Sequence, residues 1–447
     1  MARCGAGKAT EVMVENASGL VNPKPGFPSH TNFRTTVWLL RRVFQAASGS
    51  FILLGCGGML WNMWPMASTF DVISLCQELV RIPSINPEGQ SGGDCSQLGE
   101  ARLAARVAAL CTELGAEVRV DEVQKGRPNV VARFATAREP DARVLLAPHL
   151  DTVGVDGMSI DPFAAEIHAD RLWGRGASDT KGPMAAMLAA LAGLRGELAG
   201  FSTEITFAAF MGEETGQPGS IAFAREHAGA YDFALVGEPT SLDIVHATLG
   251  CTWMDVVVRG EASHASRPDL GRNALLEAST MALGLAGNFA NVMAQRHSDD
   301  LLGAPTINPG QMKAGTRANI VPDRAVLTLD MRTTPSLHRA DPLDAIESFL
   351  AITHPESKFH LYEHFRCAPL LTPPDNPFLT RLCQATGGAL ITAPWFCDAA
   401  HLSEAGIPSV AAGPGSIEQA HTGDEWILLD DLEKGVGFYR SFLESLA

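Results

Sequence analysis

Four short apolar runs constrain this chain more than any other feature. Arg143–Ala147 (RVLLA), Ile205–Met211 (ITFAAFM), Phe233–Val236 (FALV) and Pro408–Ala412 are of strand length and mainly apolar along their whole extent. A strand with one wet face alternates; a run without alternation suits a strand buried on both faces of a sheet. Helical signals lie between and around them. Ser96–Leu114 has apolar residues at helical spacing (Leu103, Val107, Leu110, Leu114) and stops on Gly115, and Pro183–Leu194 is Ala/Met/Leu-rich with Pro in its first turn. Val118–Val120 and Asn129–Phe134 read as further strands, and Pro377–Thr386 as a further helix. This is the α/β pattern of a layered, mainly parallel sheet.

The middle of the chain changes character. Trp253–Arg259 (WMDVVVR) and Arg324–Arg332 (RAVLTLDMR) alternate like half-exposed strands, with helical stretches at Asn273–Ala286 and, after Asp341 as a cap, Pro342–Ile352. Two strands and two helices of this kind predict a small α+β domain inserted into the larger one. The expected boundaries are 66–248 and 364–447 for the two parts of the larger domain and 249–363 for the insert.

Residues 1–65 do not follow either pattern. Residues 1–40 are Gly/Pro/Asn-rich, and a Gly-rich apolar stretch runs from Val43 to Pro65 behind Arg41-Arg42. Leu53-Leu54-Gly55-Cys56 resembles a lipoprotein-type cleavage site, which would make the segment an export signal or anchor. Against that, the charged region would be about forty residues long, far beyond a normal leader. Gln45, Ser48, Gly49 and Ser50 also dilute the apolar core. The expectation is a disordered extension or a mis-assigned start, with Met66 as first residue. Ser68 or Thr69 would then cap a helix whose apolar face is Val72, Leu75, Cys76, Leu79 and Val80. The expected location is cytoplasmic, with membrane contact only if the apolar segment is a genuine signal.

Composition narrows the chemistry. A length of 447 residues, 46% hydrophobic and 19% charged, allows two domains and a large core. A formal charge of -16 argues against nucleic-acid binding, so an anionic substrate would need a local cation. The nine cysteines are scattered without a CxxC pair, which fits a reduced compartment and small buried thiols. Any metal must therefore be held by His and carboxylates.

Each apolar run ends in such a group. Pro148-His149-Leu150-Asp151 follows the first, Gly212-Glu213-Glu214 the second, Gly237-Glu238 the third, and a loop reaching His421 the fourth. Open α/β sheets bind ligands at the carboxyl ends of their strands, so these side chains are expected to converge. Asp179, in Gly174-Arg-Gly-Ala-Ser-Asp-Thr-Lys-Gly182, shortly precedes a helix. Taken singly, His149 would be a structural hydrogen-bonder, Asp179 an N-cap and Glu213-Glu214 a solvated pair. Together they form a set of two His and three carboxylates that suits zinc, cobalt or manganese.

The segments PHLDTV, GRGASDTKG, GEETG, GEPT and QAHTGDE, in this order, resemble the metal-binding signatures of the M20 family of co-catalytic metallohydrolases. The resemblance covers Met66–Ala447. It implies two divalent ions, zinc first and cobalt or manganese as alternatives. His149 and Glu238 would hold one, Glu214 and His421 the other, and Asp179 would bridge them. Asp151 would orient the His149 imidazole, and Glu213 would be the general base. It also implies that the insert is a dimerisation (lid) domain and the protein a homodimer. His264, in Gly260-Glu-Ala-Ser-His264, would stabilise the oxyanion in a neighbouring subunit's site. Asn319 and Arg332 would bind substrate, Arg332 by clamping the substrate's α-carboxylate. The final stretch Gly413–His421 is closest to the acetylornithine deacetylase form. Hydrolysis of a small N-acyl amino acid, N2-acetyl-L-ornithine first, is therefore expected. Succinyl-diaminopimelate desuccinylase, a broad aminoacylase or carboxypeptidase, or a catalytically dead metal- or peptide-binding protein are the alternatives. The sequence departs from the family at Cys397, where Thr is usual, and at His401, an addition read as packed.

Overall fold

The computed structural model describes residues 70–88 and 95–447. The readings made for residues 1–65, and the capping role of Ser68 or Thr69, lie outside them. The first described helix, Val72–Val80, buries the predicted face of Val72, Leu75, Cys76, Leu79 and Val80. Its cap is Asp71, whose carboxylate accepts from the Ser74 N–H.

An eight-stranded sheet organises the molecule. Its spatial order is Glu117–Gln124, Arg127–Phe134, Thr203–Ala209, Ala142–Ala147, Phe233–Val236, Ser409–Ala411, Ile244–Thr248 and Leu390–Ala393. The four strands from Thr203–Ala209 to Ser409–Ala411 are consecutive neighbours and parallel. Antiparallel pairs flank this block, so the sheet is mixed, with its parallel part at the centre.

The apolar runs now have a physical reason. Val144 and Leu146 pack on one face, beside Ile205, Phe207, Phe233 and Leu235. Leu145 and Ala147 pack on the other, with Ala208, Phe210, Ala234 and Val236. Both faces are dry, and each fully buried Val, Leu, Ile or Phe contributes about 1.5–3 kcal/mol. On the first face lies the helix Lys181–Gly193, buried along almost its whole length between Val72–Val80 and Leu429–Glu444. Its Ala/Met/Gly composition follows, because a helix surrounded by protein needs small or adaptable side chains on every side.

The middle of the chain forms a second, antiparallel sheet in the order Thr306–Ala314, Arg324–Thr333, Gly250–Arg259, Lys358–Cys367. The helices Ala274–Gly284, Ala290–His297 and Pro342–Thr353 accompany it. Met254, Val256, Val258, Leu327 and Leu329 of its strands share a core with Ala278, Met281 and Leu350 of its helices. The strand Lys358–Cys367 runs past residue 363, where the insert was expected to end. Three short strands, Glu166–His168, Arg171–Trp173 and Trp426–Leu428, make a small third sheet. Cysteines 76, 111, 251, 367, 383 and 397 are free, and burial pushes the Cys76 and Cys111 thiols up to about 12. No helix among the described residues is long and apolar enough to cross a membrane.

Candidate metal centre

Because the four central strands are parallel neighbours, their carboxyl ends open on one edge of the sheet, and the predicted side chains gather there. His149 is 2% exposed, and its Nε2 lies 2.9 Å from Asp179 Oδ1. The other oxygen of Asp179 is 3.6 Å from His421 Nε2, which lies 2.9 Å from Glu214 Oε2. His149, Asp179 and Glu214 each offer a ligand atom, all within 4.8 Å of one another; theirs is the one such group among the described residues. His421 joins it through Glu214 and Asp179. Glu238 is buried beside it, close enough for its charge to act on His149 and Glu213.

Electrostatics set these groups apart from surface acids. Burial, with the Asp179 charge adding to it, pushes Glu214 up to about 7 against the pull of His421. Burial raises Glu238 well above the carboxylate range, and raises Glu213 likewise with the charge of Glu238 adding to it. Burial works to lower the His149 pKa, but Asp151 and Asp179 overcome it and hold it well above the usual value.

Asp151 lies against both the His149 imidazole and the Glu213-Glu214 loop. The His149 Nδ1 lies 3.0 Å from the Asp151 carbonyl oxygen and 3.6 Å from its carboxylate Oδ1. The carboxylate also accepts from the N–H groups of Glu213 (2.9 Å) and Glu214 (3.0 Å) and from Asn86 Nδ2 (2.8 Å). Its backbone and its carboxylate both act on the imidazole, and its side chain also braces the loop that carries Glu213 and Glu214.

Glu213 Oε1 accepts from Gln217 Nε2 at 2.8 Å. Gln217 sits at φ 52°, unusual for a side chain with a Cβ, at the start of the helix Pro218–Glu226. Asp398 is also near: burial raises it to about 7, and its Oδ1 accepts from Ser220 Oγ. Cys397 is buried beside it. His401 is 6% exposed, packed as predicted, with an unpartnered Nε2.

His264 and Asn319 are exposed and lie on adjoining segments: Ala265 N–H donates to the Asn319 carbonyl, and Val321 N–H to that of Ser263. The Ser266 N–H donates to His264 Nδ1, which leaves the proton of the neutral ring on Nε2. Arg332 makes a two-pronged pair with Asp330, Nε–Oδ1 2.8 Å and Nη2–Oδ2 2.9 Å. Its guanidinium also lies 5.2 Å from the ring centre of Phe396, two residues before Asp398.

Comparison with known proteins agrees with this edge-of-sheet cluster. Residues 145–445 match the model of peptidase family M20/M25/M40. The chain belongs to this family. An acetylornithine deacetylase of Aliivibrio salmonicida (strain LFI1238) is 28% identical over 363 residues, 78% of this chain and 92% of the relative. One from Edwardsiella ictaluri (strain 93-146) is 30% identical over 80% of this chain and 93% of its own. Among solved structures, the M20 metallo-carboxypeptidase Sso-CP2 of Sulfolobus solfataricus has a TM-score of 0.68 at 20% identity, covering 84% of this chain and 99% of that one. Membership in M20, with the candidate metal triad, makes the chain a metal-dependent hydrolase of amide or peptide bonds.

The residues present fit a divalent cation. Glu214 Oε1 and Glu238 Oε1 are buried and accept no hydrogen bond from the described residues. A buried carboxylate oxygen left unpaired is costly, and a cation among several such oxygens removes the cost. Three residues of this M20 site escaped the sequence reading: Asn86, Gln217 and Asp398. Ser84-Ile-Asn86-Pro87 and Gly216-Gln217-Pro218 carry turn signals that could have marked the first two.

Proposed function

We propose that this M20 member is a two-metal amide hydrolase that frees an amino acid from its N-acyl group, with N2-acetyl-L-ornithine as first substrate. One observation carries the two-ion reading: the two oxygens of Asp179 face different histidines, 2.9 Å from His149 Nε2 and 3.6 Å from His421 Nε2. His149 and Glu238 would hold one ion and Glu214 and His421 the other, with Asp179 between. Bound there, two divalent ions, zinc first and cobalt or manganese as alternatives, supply Lewis-acid polarisation of the scissile carbonyl and make water a nucleophile near neutral pH.

The chain's own groups do the rest. Glu213 takes a proton from the attacking water and delivers it to the leaving amine. Gln217 holds one oxygen of that carboxylate, which fixes how the other is aimed. His264 presents an Nε2–H suited to a developing oxyanion. Its exposure supports a role across the interface of a homodimer, with 249–363 as the dimerisation domain. Asn319 lies beside it, and Arg332 supplies the cation for the substrate carboxylate, its Nη1 remaining beside the Asp330 pair.

The acetylornithine assignment is supported by the names of the relatives. A broader aminoacylase or dipeptidase reading has one observation in its favour. The Phe396 ring under Arg332 packs with Phe365 (5.4 Å) and Trp253 (6.3 Å), an apolar wall that suits an apolar side chain. Zinc-loaded protein should be assayed for amine release from N2-acetylornithine, succinyl-diaminopimelate, acyl-glutamate and an N-acetylated apolar amino acid side by side. The highest kcat/KM is expected on N2-acetylornithine. Faster release from an acylated apolar amino acid would move the assignment to the broader reading, and no release from any substrate would overturn it.

A further inference from the structure

Asp179 and His421 come from segments far apart in the chain, yet their side chains must meet within a fraction of an ångström to share ions. Between their backbones lies a carboxylate that the chemistry above does not use. Glu425 is wholly buried, and its two oxygens accept four hydrogen bonds. Oε2 takes Arg175 Nη1 and the Gly176 N–H, both at 2.9 Å. Oε1 takes the N–H groups of Ser178 at 2.8 Å and of Asp179 itself at 3.0 Å. Arg175, 3% exposed, continues the network: its Nη2 donates to the Thr422 carbonyl at 3.0 Å and its Nε to the Gly154 carbonyl at 3.1 Å. Thr422 follows His421, and Gly154 lies just beyond His149 and Asp151.

We propose that Glu425 and Arg175 are positioning residues of the metal centre, which set Asp179 against His421 and so control affinity for the ion that Glu214 and His421 would hold. The proposal rests on the two-ion reading above. Neither residue touches a reacting atom; each acts through the backbone of a ligand. The physical case is a count of acceptors. A carboxylate offers acceptor sites for four donors, whereas an amide offers one oxygen and turns an NH2 group toward N–H groups that cannot accept. Glu425→Gln therefore leaves buried donors around Asp179 unmet, and the loop must shift to satisfy them. His421 is the ligand most dependent on outside support. It is not a glycine yet has φ 60°, and its side chain is 57% exposed, so little packing holds it. Glu238 and His149 follow directly on buried strands and need no such tie.

The test is a calorimetric titration of chelator-stripped protein with zinc chloride, alongside thermal melts. Wild type is expected to bind in two steps. Glu425→Gln should weaken one step by about 10- to 100-fold, the usual effect of removing a partner that orients a ligand. The other step should weaken less, because, of its ligands, only Asp179 is disturbed while His149 and Glu238 are untouched. Arg175→Lys keeps the charge opposite Glu425 but cannot serve Thr422 and Gly154 together, so it should weaken the same step by less. If Glu425→Gln does not fold, Arg175→Lys carries the test. Two unchanged steps in folded variants would overturn the proposal. So would equal weakening of both steps with a lower melting temperature, the mark of a purely structural ion pair. A wild type that binds in one step would instead remove the two-ion reading, and this proposal with it.

Discussion

At the scale of single residues, the site is a crowd of buried acids held by a few neutral donors. Glu213→Ala should lower kcat by about 10²- to 10⁴-fold, the usual contribution of a general base, while zinc stoichiometry stays the same. A fully active variant would end its assignment as base. His401 allows a test away from the metal ligands. Burial depresses its pKa to about 4, with Glu404 opposing and Arg225 adding to the effect. Its folded pKa thus lies below its unfolded value of about 6.5, so between those values the unfolded chain holds a proton that the folded one refuses. Stability is lost as pH falls through this window, by about 2 kcal/mol at pH 5 from this group. Urea midpoints at pH 7 and pH 5 should differ less in His401→Gln than in wild type; identical pH dependence would refute the reading. The clustered His and carboxylate groups were legible in the sequence because each ends a strand or sits in a motif. The donors were not. Asn86 is 65 positions from its partner Asp151, a pairing that exists only once the chain is folded. For the same reason the sequence shows Asp151 beside His149 but not that its carboxylate also accepts from the Glu213 and Glu214 N–H groups.

At the scale of elements, the apolar runs located the central strands to within a residue or two, because a strand dry on both faces leaves a plain signature. The edges of the second sheet left none. Thr306–Ala314 contains Pro309 and Gly310, and Lys358–Cys367 is rich in His, Glu, Lys and Arg; both border their sheet, where such residues are tolerated and block stray pairing. Periodicity alone cannot separate strands of this kind from loops. The helix Pro218–Glu226 offers a direct test of how elements hold the site. A Cβ at Gly219 would come within 2.4 Å of the Met211 carbonyl oxygen and 2.6 Å of Asn129 Oδ1. Asn129 ties this helix to the strand end, donating to the Gly219 carbonyl and accepting from the Met211 N–H. Gly219→Ala should therefore cost about 1–3 kcal/mol in urea denaturation and disturb the loop bearing Glu213 and Glu214. An unchanged midpoint would show that the helix start yields freely.

At the scale of the whole molecule, the question is whether one chain makes a complete site. His264 lies in an exposed loop of the second sheet's segment, and among the described residues nothing engages its Nε2. Neither Glu213→Ala nor His264→Ala should turn over substrate well alone. Mixed under conditions that exchange subunits, they should regain about a quarter of wild-type activity per site if each site draws on two chains and half the molecules pair unlike subunits. No recovery would place His264 outside the partner's site. The four parallel strands carry a further consequence, one that concerns synthesis. Ala142–Ala147 and Phe233–Val236 leave the ribosome early, but Ser409–Ala411, which covers the open edge of Phe233–Val236, and His421 emerge only near the end. Until then a nascent chain exposes an unpaired parallel edge together with most of its candidate metal-binding acids. Such long-range pairing is slow and prone to association. The last tenth of the chain thus works as a closing seam, and this enzyme should lean on chaperones until that seam is made.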